Sequence, residues 1–334
     1  MPDTAPQRQA VLLLAHGTPQ SLDEIPAYLR NITSGRPMPE SVVEEIRHRY
    51  SLIGSSPLTD LTMEQGRLLS QALRLPVYVG MRNWKPYIAE VVRQMRADGI
   101  TSAVAICLAP QNSRTSVGLY RRAAFAEAGG AIEMDFIDGW ADHPLLAQAF
   151  AERLQPVWQS VSARIGAAAP VLFTAHSVPC RTIQTQPADA QGPPAPDPDP
   201  YPVEAKRTAA NVAALLAPVG LTSADWFFAF QSQGMSGATW IGPTVEDTLT
   251  ALRQEGHSAV VIQPIGFLCD HVEILYDIDI GFRDFASGIG LEVVRPQSLN
   301  DSPLLTATLA DLARKGFARL AAKVPSEALS APAL

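Results

Sequence analysis

Cysteine is scarce in this sequence, and its spacing argues against the sites that depend on it. The three cysteines, Cys107, Cys180 and Cys269, lie far apart and include no Cys-x-x-Cys pair. An iron–sulfur cluster usually takes its ligands from four cysteines, and a disulfide framework needs several cysteines that pair. We therefore expect unpaired thiols, no disulfide framework and no iron–sulfur cluster.

Long apolar runs and an excess of positive charge are also missing. No stretch approaches the roughly 18 consecutive apolar residues of a membrane-spanning helix, and the N-terminal segment MPDTAPQRQA lacks the apolar core of a signal peptide. We therefore expect a cytoplasmic protein without an integral membrane segment. The formal net charge is −7 and no basic stripe is interleaved with aromatic residues, so nucleic acid is not an expected partner.

What the sequence does contain is an alternation of apolar strand-like runs and amphipathic helix-like stretches, which is typical of an α/β protein with parallel, doubly wound sheets. Strands are predicted at residues 10–15, 75–81, 103–109, 132–137 and 226–231 and at the start of the stretches 171–179 and 260–280. Helices are predicted at residues 21–31, 40–50, 62–73, 85–98, 116–128, 145–161, 204–216, 244–254 and 302–323. The proline-rich residues 184–202 and the tail at 324–334 are expected to lack regular structure.

The second half of the chain echoes the first. VLLLAHGTP at residues 11–19 matches VLFTAHSVP at residues 171–179 almost position for position. We therefore predict two similar Rossmann-like halves, residues 1–160 and residues 161–334, each built on a four-stranded parallel sheet and facing a central cleft. The final helix, at about 302–323, is assigned to the second half.

Titratable residues follow the predicted strands at their carboxyl ends, where open α/β sheets bind ligands. The stretch 171–179 ends in His176 and Ser177, and the stretch 260–280 continues into His271 and Glu273. His176 and Glu273 are therefore the first candidates for catalytic residues. Because a duplicated unit places equivalent strand ends across one cleft, His16 is also expected to face it.

Three carboxylates recur after the strand in the stretch 260–280. Asp270, Glu273 and Asp277 are spaced by three and four residues, so in a helix they would share one face. Like charges at this spacing repel by about 0.2–0.5 kcal/mol per pair, so a positive charge is expected nearby. A solvated acidic face is the ordinary interpretation, but the position at a strand end favours a path for cations.

Five motifs, taken in order, resemble the ferrochelatase family, and the likeness covers roughly residues 9 to 322. The motifs are LLAHGTP at 13–19, RYSLIGSSPL at 49–58, FTAHSVP at 173–179, FQSQGMSGATWIGP at 230–243 and PIGFLCDHVEILYDID at 264–279. The resemblance implies the fold of the class II chelatases and a lyase of haem biosynthesis that inserts Fe²⁺ into a porphyrin. The porphyrin and Fe²⁺ would then be substrates and haem the product, with no tightly bound cofactor. It also implies a monomer.

The resemblance assigns roles to individual residues. His176 matches the family's active-site histidine, Glu273 matches its facing glutamate, and Asp277 continues an acidic row along an unusual helix, which makes these three the expected metal-binding residues. Gly281 interrupts that row. A histidine at the position of His16 is typical of related cobalt and nickel chelatases of other tetrapyrroles, and this keeps a different metal as an alternative.

The predicted porphyrin-binding residues follow from the same motifs. Residues 22–50 show no long hydrophobic lip, which favours the subgroup of soluble bacterial enzymes that metallate coproporphyrin III, a substrate with four propionates, over protoporphyrin IX, which has two. The expected wall and propionate side of the cleft comprise His16, Arg49, Tyr50, Ser56, Tyr120 and Trp240. For Arg49 the alternative is a surface ion pair with Glu44 or Glu45.

Other functions fit the sequence less well. A serine hydrolase is disfavoured because no Gly-x-Ser-x-Gly motif is present. The His-Val-Glu spacing at 271–273 resembles that of zinc deaminases, but the Pro-Cys-x-x-Cys motif of those enzymes is missing. The alternative from another class is a non-catalytic haem carrier. Such a protein would need stacking side chains and an axial ligand, but it would not need a carboxylate such as Glu273 facing His176.

Overall fold

Two four-stranded parallel sheets form the centre of the computed structural model, which describes residues 8–183, 198–233 and 239–323. The first sheet contains β1 (Gln9–Ala15), β2 (Val77–Met81), β3 (Ser102–Cys107) and β4 (Glu133–Ile137), in the order β2-β1-β3-β4. The second contains β5 (Val171–His176), β6 (Trp226–Gln231), β7 (Ala259–Pro264) and β8 (Glu292–Val294), in the order β6-β5-β7-β8. The two orders are equivalent, so the predicted α/β fold with duplicated parallel sheets is confirmed.

Helices cover both faces of each sheet, and the inner strands are accordingly buried along nearly their whole length. The helices are α1 (Ile25–Ile32), α2 (Glu40–Ile53), α3 (Leu58–Leu73), α4 (Ile88–Ala97), α5 (Val117–Ala128), α6 (Pro144–Ile165), α7 (Cys180–Ile183), α8 (Tyr201–Leu216), α9 (Val245–Gln254), α10 (Val272–Leu275), α11 (Arg283–Gly288) and α12 (Pro303–Lys323). A π-helical segment, Asp277–Phe282, lies between α10 and α11. None of the helices in the described ranges combines the length and hydropathy that crossing a bilayer requires.

Two predicted irregular regions lie wholly or largely beyond the described residues. Most of the proline-rich stretch, residues 184–197, falls outside the described ranges, as does the tail at 324–334. The described part of the stretch leads directly into α8, which begins at Tyr201.

The two halves are joined by an exchange of their last helices. The predicted boundary at residue 160 falls inside α6, and α6 packs on α8 and on β7 of the second sheet. In return α12, at the end of the chain, packs on α3 and on β3 and β4 of the first sheet. One continuous apolar core therefore contains residues of both sheets together with both exchanged helices.

The contact between α12 and the first sheet depends on Gly316. A Cβ atom at this position would lie 2.7 Å from both methyl groups of Val104 on β3 and 3.0 Å from Oδ2 of Asp135 on β4. Only a residue without a side chain allows the helix to approach this closely. Asp135 also accepts hydrogen bonds from Arg319, one turn further along α12, at 2.7 and 3.3 Å.

This close approach generates a prediction about stability. Gly316→Ala should lower the free energy of unfolding by about 1–3 kcal/mol, because overpacking forces the helix away from the sheet. For a chain of this size we expect the melting temperature in calorimetry to fall by several degrees. Gly288→Ala in α11 is the control, since no atom lies within 4 Å of its added Cβ. An equal response of the two variants would contradict the proposed packing constraint.

Candidate active site

A cavity of about 370 Å³ lies at the carboxyl ends of the strands, between the two sheets. Its walls combine flat aromatic surfaces, apolar side chains and a limited number of hydroxyl and titratable groups, as is usual for sites that bind small molecules. The residues important below are His16, Tyr28, Arg82, Ser116 and Tyr120 from the first half and His176, Tyr201, Trp240, His271 and Glu273 from the second.

His176 is the last residue of β5, and its imidazole faces the carboxylate of Glu273. The distance from Nε2 of His176 to Oε1 of Glu273 is 3.4 Å, and each side chain keeps about a third of its surface accessible (35% and 33%). The other ring nitrogen, Nδ1, donates to the carbonyl oxygen of Ser177. Tyr201 donates its hydroxyl to the carbonyl oxygen of His176 at 2.9 Å. The imidazole is therefore held from behind while its reactive nitrogen faces the cavity.

The backbone beneath the pair is fixed by buried polar groups. Gln231, at the end of β6, donates from Nε2 to the carbonyl oxygen of Glu273 at 2.7 Å and accepts a hydrogen bond from Thr174 at 2.6 Å. Gly266, after β7, approaches β5 so closely that a Cβ would lie 2.9 Å from Cβ of Ala175. These contacts lock α10 to the strand that carries the histidine, and they set the separation of the two reactive groups.

A second imidazole approaches Glu273 from the other side. Nε2 of His271 lies 3.4 Å from Oε2 of Glu273, and Nδ1 of His271 contacts the carbonyl oxygen of Cys269 at 2.9 Å. The His271 ring packs against Phe267, with 4.8 Å between the ring centroids. The carboxylate thus lies between two imidazoles, one of which belongs to its own loop.

Electrostatics couple the His176–Glu273 pair. Burial opposes the charge on His176, but the Glu273 carboxylate, together with the Ser177 carbonyl and Asp277, outweighs burial and raises the pKa of His176 to about 9. Burial would raise the pKa of Glu273, but His176 and His271 outweigh it and hold that pKa well below its ordinary value of 4.5. At neutral pH the substrate-free pair therefore holds one proton, on the imidazole, and the carboxylate is ionised.

Asp277 lies one turn beyond Glu273, at the start of the π-helical segment. Its carboxylate accepts a hydrogen bond from the Ser232 hydroxyl. Burial, and then the charge of Glu273, raise the pKa of Asp277 to about 6. Within the described ranges no three His, Cys, Asp or Glu side chains are arranged to hold a metal ion. The predicted set of His176, Glu273 and Asp277 is thus not assembled into one closed site, and its role in metal binding stays a prediction.

Asp270, the first acid of the predicted row, points elsewhere. It precedes α10, and its carboxylate accepts hydrogen bonds from Ser298 at 2.6 Å and Asn300 at 2.9 Å. Its carboxylate also lies 3.3 Å from the buried guanidinium of Arg295, which binds Asp279 at 2.6 and 2.8 Å. The prediction of three carboxylates on one helical face is therefore wrong for Asp270, because a buried arginine from the β8 side of the sheet draws it away.

Arg49 supplies the positive charge expected beside the acidic row. Its Nε donates to Glu45 at 2.9 Å, as in the alternative interpretation, and Nη1 lies 3.8 Å from Asp277. The guanidinium also stacks over the Tyr276 ring at 4.9 Å. Arg49 is absent from the cavity wall. Its predicted contact with a propionate stays a prediction, and in the structure the guanidinium contacts Glu45 and the Tyr276 ring.

His16 follows β1 and faces the cavity from the first half. Nε2 lies 3.0 Å from the hydroxyl of Tyr28, and the side-chain amide of Asn83 lies 3.2 Å from Nδ1 and 3.1 Å from Nε2. His16 is exposed to the cavity, and desolvation by the cavity walls, only partly opposed by Glu273, lowers its pKa to about 4. His16 is therefore a neutral imidazole at physiological pH, held by two polar partners.

The other predicted porphyrin-binding residues divide into two groups. Tyr120 and Trp240 line the cavity, as expected for flat contacts to a macrocycle. Tyr50 and Ser56 lie behind its wall: Tyr50 is 3% exposed in an apolar cluster with α1, and Ser56 accepts a hydrogen bond from Thr18 at 2.9 Å. Thr18 itself lines the cavity, so Ser56 supports the wall without forming it.

Of the ten cavity residues named above, five were not among the predicted site residues: Tyr28, Arg82, Ser116, Tyr201 and His271. Arg82 and His271 follow strand ends, a signal that was available in the sequence. Tyr28 lies within α1, and Tyr201 begins α8 after the proline-rich stretch, so no local pattern marked either residue.

Comparison with known proteins agrees with the family resemblance of the sequence motifs. A model of the ferrochelatase family matches residues 8–316. A protein of Acidobacterium capsulatum named ferrochelatase is 66% identical over 97% of this chain and 99% of its own length. A coproporphyrin III ferrochelatase of Geobacillus thermodenitrificans is 33% identical over 92% of this chain and 96% of its own. A sirohydrochlorin chelatase from Bacillus subtilis subspecies spizizenii, solved with cobalt, shares the fold (TM-score 0.54, 12% identity, 95% and 98% coverage).

The coupling of His176 to Glu273 predicts two separate histidine titrations. In NMR of the substrate-free protein, His176 should titrate near pH 9 and His16 near pH 4. In the Glu273→Gln variant the pKa of His176 should fall toward or below 6.5, because burial remains while its main opposing charge is removed. By linkage, the pair stabilises the fold fully between about pH 4.5 and 6.5, the ordinary values of its two groups, and less as the pH rises through about 9.

Glu255→Gln is the control for this titration. Glu255 faces His257 on the surface at 3.9 Å, so the variant removes a carboxylate from another histidine–glutamate pair. It should leave the titration of His176 unchanged. A His176 that titrates near 6.5 in the unmodified protein, or that ignores Glu273→Gln, would contradict the coupling.

Proposed function

The chain belongs to the ferrochelatase family of metal chelatases, and from that premise we propose that it inserts Fe²⁺ into coproporphyrin III in preference to protoporphyrin IX. Among its relatives, several at 32–34% identity are named coproporphyrin III ferrochelatases. A guanidinium and several hydroxyl groups in the cavity wall also suit a substrate with many carboxylates. Family membership makes the protein an enzyme, so the alternative of a non-catalytic carrier is set aside.

The observation that carries the proposed chemistry is the 3.4 Å approach of His176 and Glu273 at the cavity. Insertion of a divalent metal requires two pyrrole protons to leave the macrocycle. In the substrate-free pair the carboxylate is ionised and can accept the first of them. The imidazole already holds a proton, and it can accept the second pyrrole proton only after its own proton has passed to solvent.

Arrival of the metal favours that release. A dication near an imidazolium repels its proton and lowers its pKa, so the imidazole becomes neutral as Fe²⁺ enters. A neutral imidazole with a carboxylate is a suitable donor set for Fe²⁺ during transfer. His176 would therefore both receive the ion and take part in proton removal, while Glu273 balances the charge.

Asp277 extends this role away from the cavity. Its pKa of about 6 allows it to exchange protons near neutral pH. We propose that it passes protons or metal between Glu273 and the surface. Arg49, 3.8 Å from Asp277, would limit how many cations collect at this point.

Cobalt insertion into another tetrapyrrole is the second candidate, and His16 is the residue that favours it. A neutral imidazole in the wall opposite the His176–Glu273 pair adds a nitrogen donor that suits Co²⁺. Tyr28 and Asn83 engage that ring, however, and these contacts would have to be released before it could bind a metal. This cost favours iron as the metal of the main proposal.

An anaerobic insertion assay tests the proposed function. Purified protein is mixed with Fe²⁺ and either coproporphyrin III or protoporphyrin IX, and the loss of the free-base absorption bands is followed. We expect kcat/KM to be at least about ten-fold higher for coproporphyrin III, since each further charge-assisted carboxylate contact contributes about 1.5–3 kcal/mol. Equal or higher values for protoporphyrin IX would contradict the substrate assignment. Faster turnover with Co²⁺ and sirohydrochlorin would support the second candidate instead.

A further inference from the structure

Arg82 provides the guanidinium of the cavity wall, and it takes no part in the proton and metal transfer proposed for His176, Glu273 and Asp277. It follows β2 directly, and its backbone N–H donates to the carbonyl oxygen of Ala15 at 3.0 Å, which fixes it beside the end of β1. Its side chain is half-buried and lines the cavity. Of the described residues in that lining, Arg82 is the only arginine or lysine.

The Arg82 guanidinium has no carboxylate partner among the described residues. No salt bridge to it occurs in the ranges that the structure covers, whereas Arg49, Arg121 and Arg295 each contact a carboxylate. Its closest aromatic contact is weak, with Cζ 5.9 Å from the centre of the Tyr120 ring. Its guanidinium nitrogens are not among the buried unpartnered atoms of the described residues, so they are open to the cavity, where the planar group has five N–H donors to offer a ligand.

Hydroxyl groups lie at the same end of the cavity. Ser116 immediately precedes α5, but its side chain does not cap that helix. It lies instead close to the Tyr120 hydroxyl, over whose ring the Arg82 guanidinium is placed. Arg82, Ser116 and Tyr120 all line the cavity, and Arg82 and Ser116 both approach Tyr120.

The geometry points to a carboxylate-binding subsite formed by Arg82 with the hydroxyls of Ser116 and Tyr120, and this inference rests on the proposed function. Its ligand is one propionate of the porphyrin. A guanidinium binds a carboxylate through two parallel hydrogen bonds, which fixes both the position and the orientation of the group. Arg82 would thus determine how the macrocycle is rotated in the cavity, so that its centre lies between His16 and the His176–Glu273 pair.

The test compares binding of two metal-free porphyrins that differ only in charge, coproporphyrin III and its tetramethyl ester, in the same detergent buffer. Quenching of protein fluorescence gives the two dissociation constants without any catalysis. Arg82→Met should weaken coproporphyrin binding by about ten-fold or more, the usual effect of losing a charge-assisted hydrogen bond. Binding of the ester, which has no carboxylate, should stay within about two-fold of the unmodified protein.

Arg121→Met is the matched control, because Arg121 is an exposed arginine on α5 that pairs with Asp138 outside the cavity. It removes the same charge and should leave both dissociation constants unchanged. Arg82→Lys keeps the charge but lacks the planar guanidinium, so it should recover part of the lost affinity for coproporphyrin III. If the methionine variant folds poorly, the dissociation constants of the lysine variant are used in its place.

Two outcomes would overturn the inference. One is an equal loss of affinity for the acid and the ester, which would show that Arg82 shapes the cavity without contacting a carboxylate. The other is coproporphyrin binding that is the same in the Arg82 and Arg121 variants. Failure of the proposed function is recognised separately, because the unmodified protein would then bind the porphyrin without inserting iron, or would not bind it at all.

Discussion

The approach of one imidazole to one carboxylate, His176 to Glu273, is the interaction on which the rest of this structure depends. The two groups come from different strands of the second sheet and would drift apart if either loop moved. A buried glutamine, Gln231, ties them through the backbone of α10, and a glycine, Gly266, allows the strands to pack closely beneath them. The surrounding fold thus holds Nε2 of His176 at 3.4 Å from Oε1 of Glu273.

That constancy extends to the whole cavity because the halves exchange helices. Each sheet is covered in part by a helix from the other half, so the cleft walls share a single apolar core. An opening of one half against the other would expose that core, at a cost that grows with the apolar area exposed. The two faces of the cavity also differ in charge. A neutral His16 lies on one side and a coupled, proton-holding pair on the other.

Much of the site could be predicted from the sequence because its residues lie next to strand ends. His16, His176 and Glu273 each follow an apolar, strand-like run. Their position after a predicted strand marks them as candidates without knowledge of the tertiary structure. Tyr50 and Asp270 show where local patterns fail. Asp270 has the helical spacing of its neighbours, but Arg295, 25 residues later, draws it into a separate network. Tyr50 is buried by α1, a contact that no motif indicates. Arg49 pairs with Glu45 one turn earlier, which is the alternative that the local spacing indicated in place of a propionate contact. The contacts of α12 with β3 and β4 join residues more than 160 positions apart, so this part of the helix exchange could not be predicted from local patterns.

A double-mutant cycle on iron insertion tests the central claim, that His176 and Glu273 act as one unit, most directly. The rate constant for insertion is measured for His176→Ala, for Glu273→Ala and for the variant that carries both changes. If the two residues act as one unit, removing either one already abolishes the contribution of both. The double variant should therefore be no more than about three-fold slower than the slower single variant. A double variant whose loss equals the product of the two single losses would show that the residues act independently, and would contradict the account.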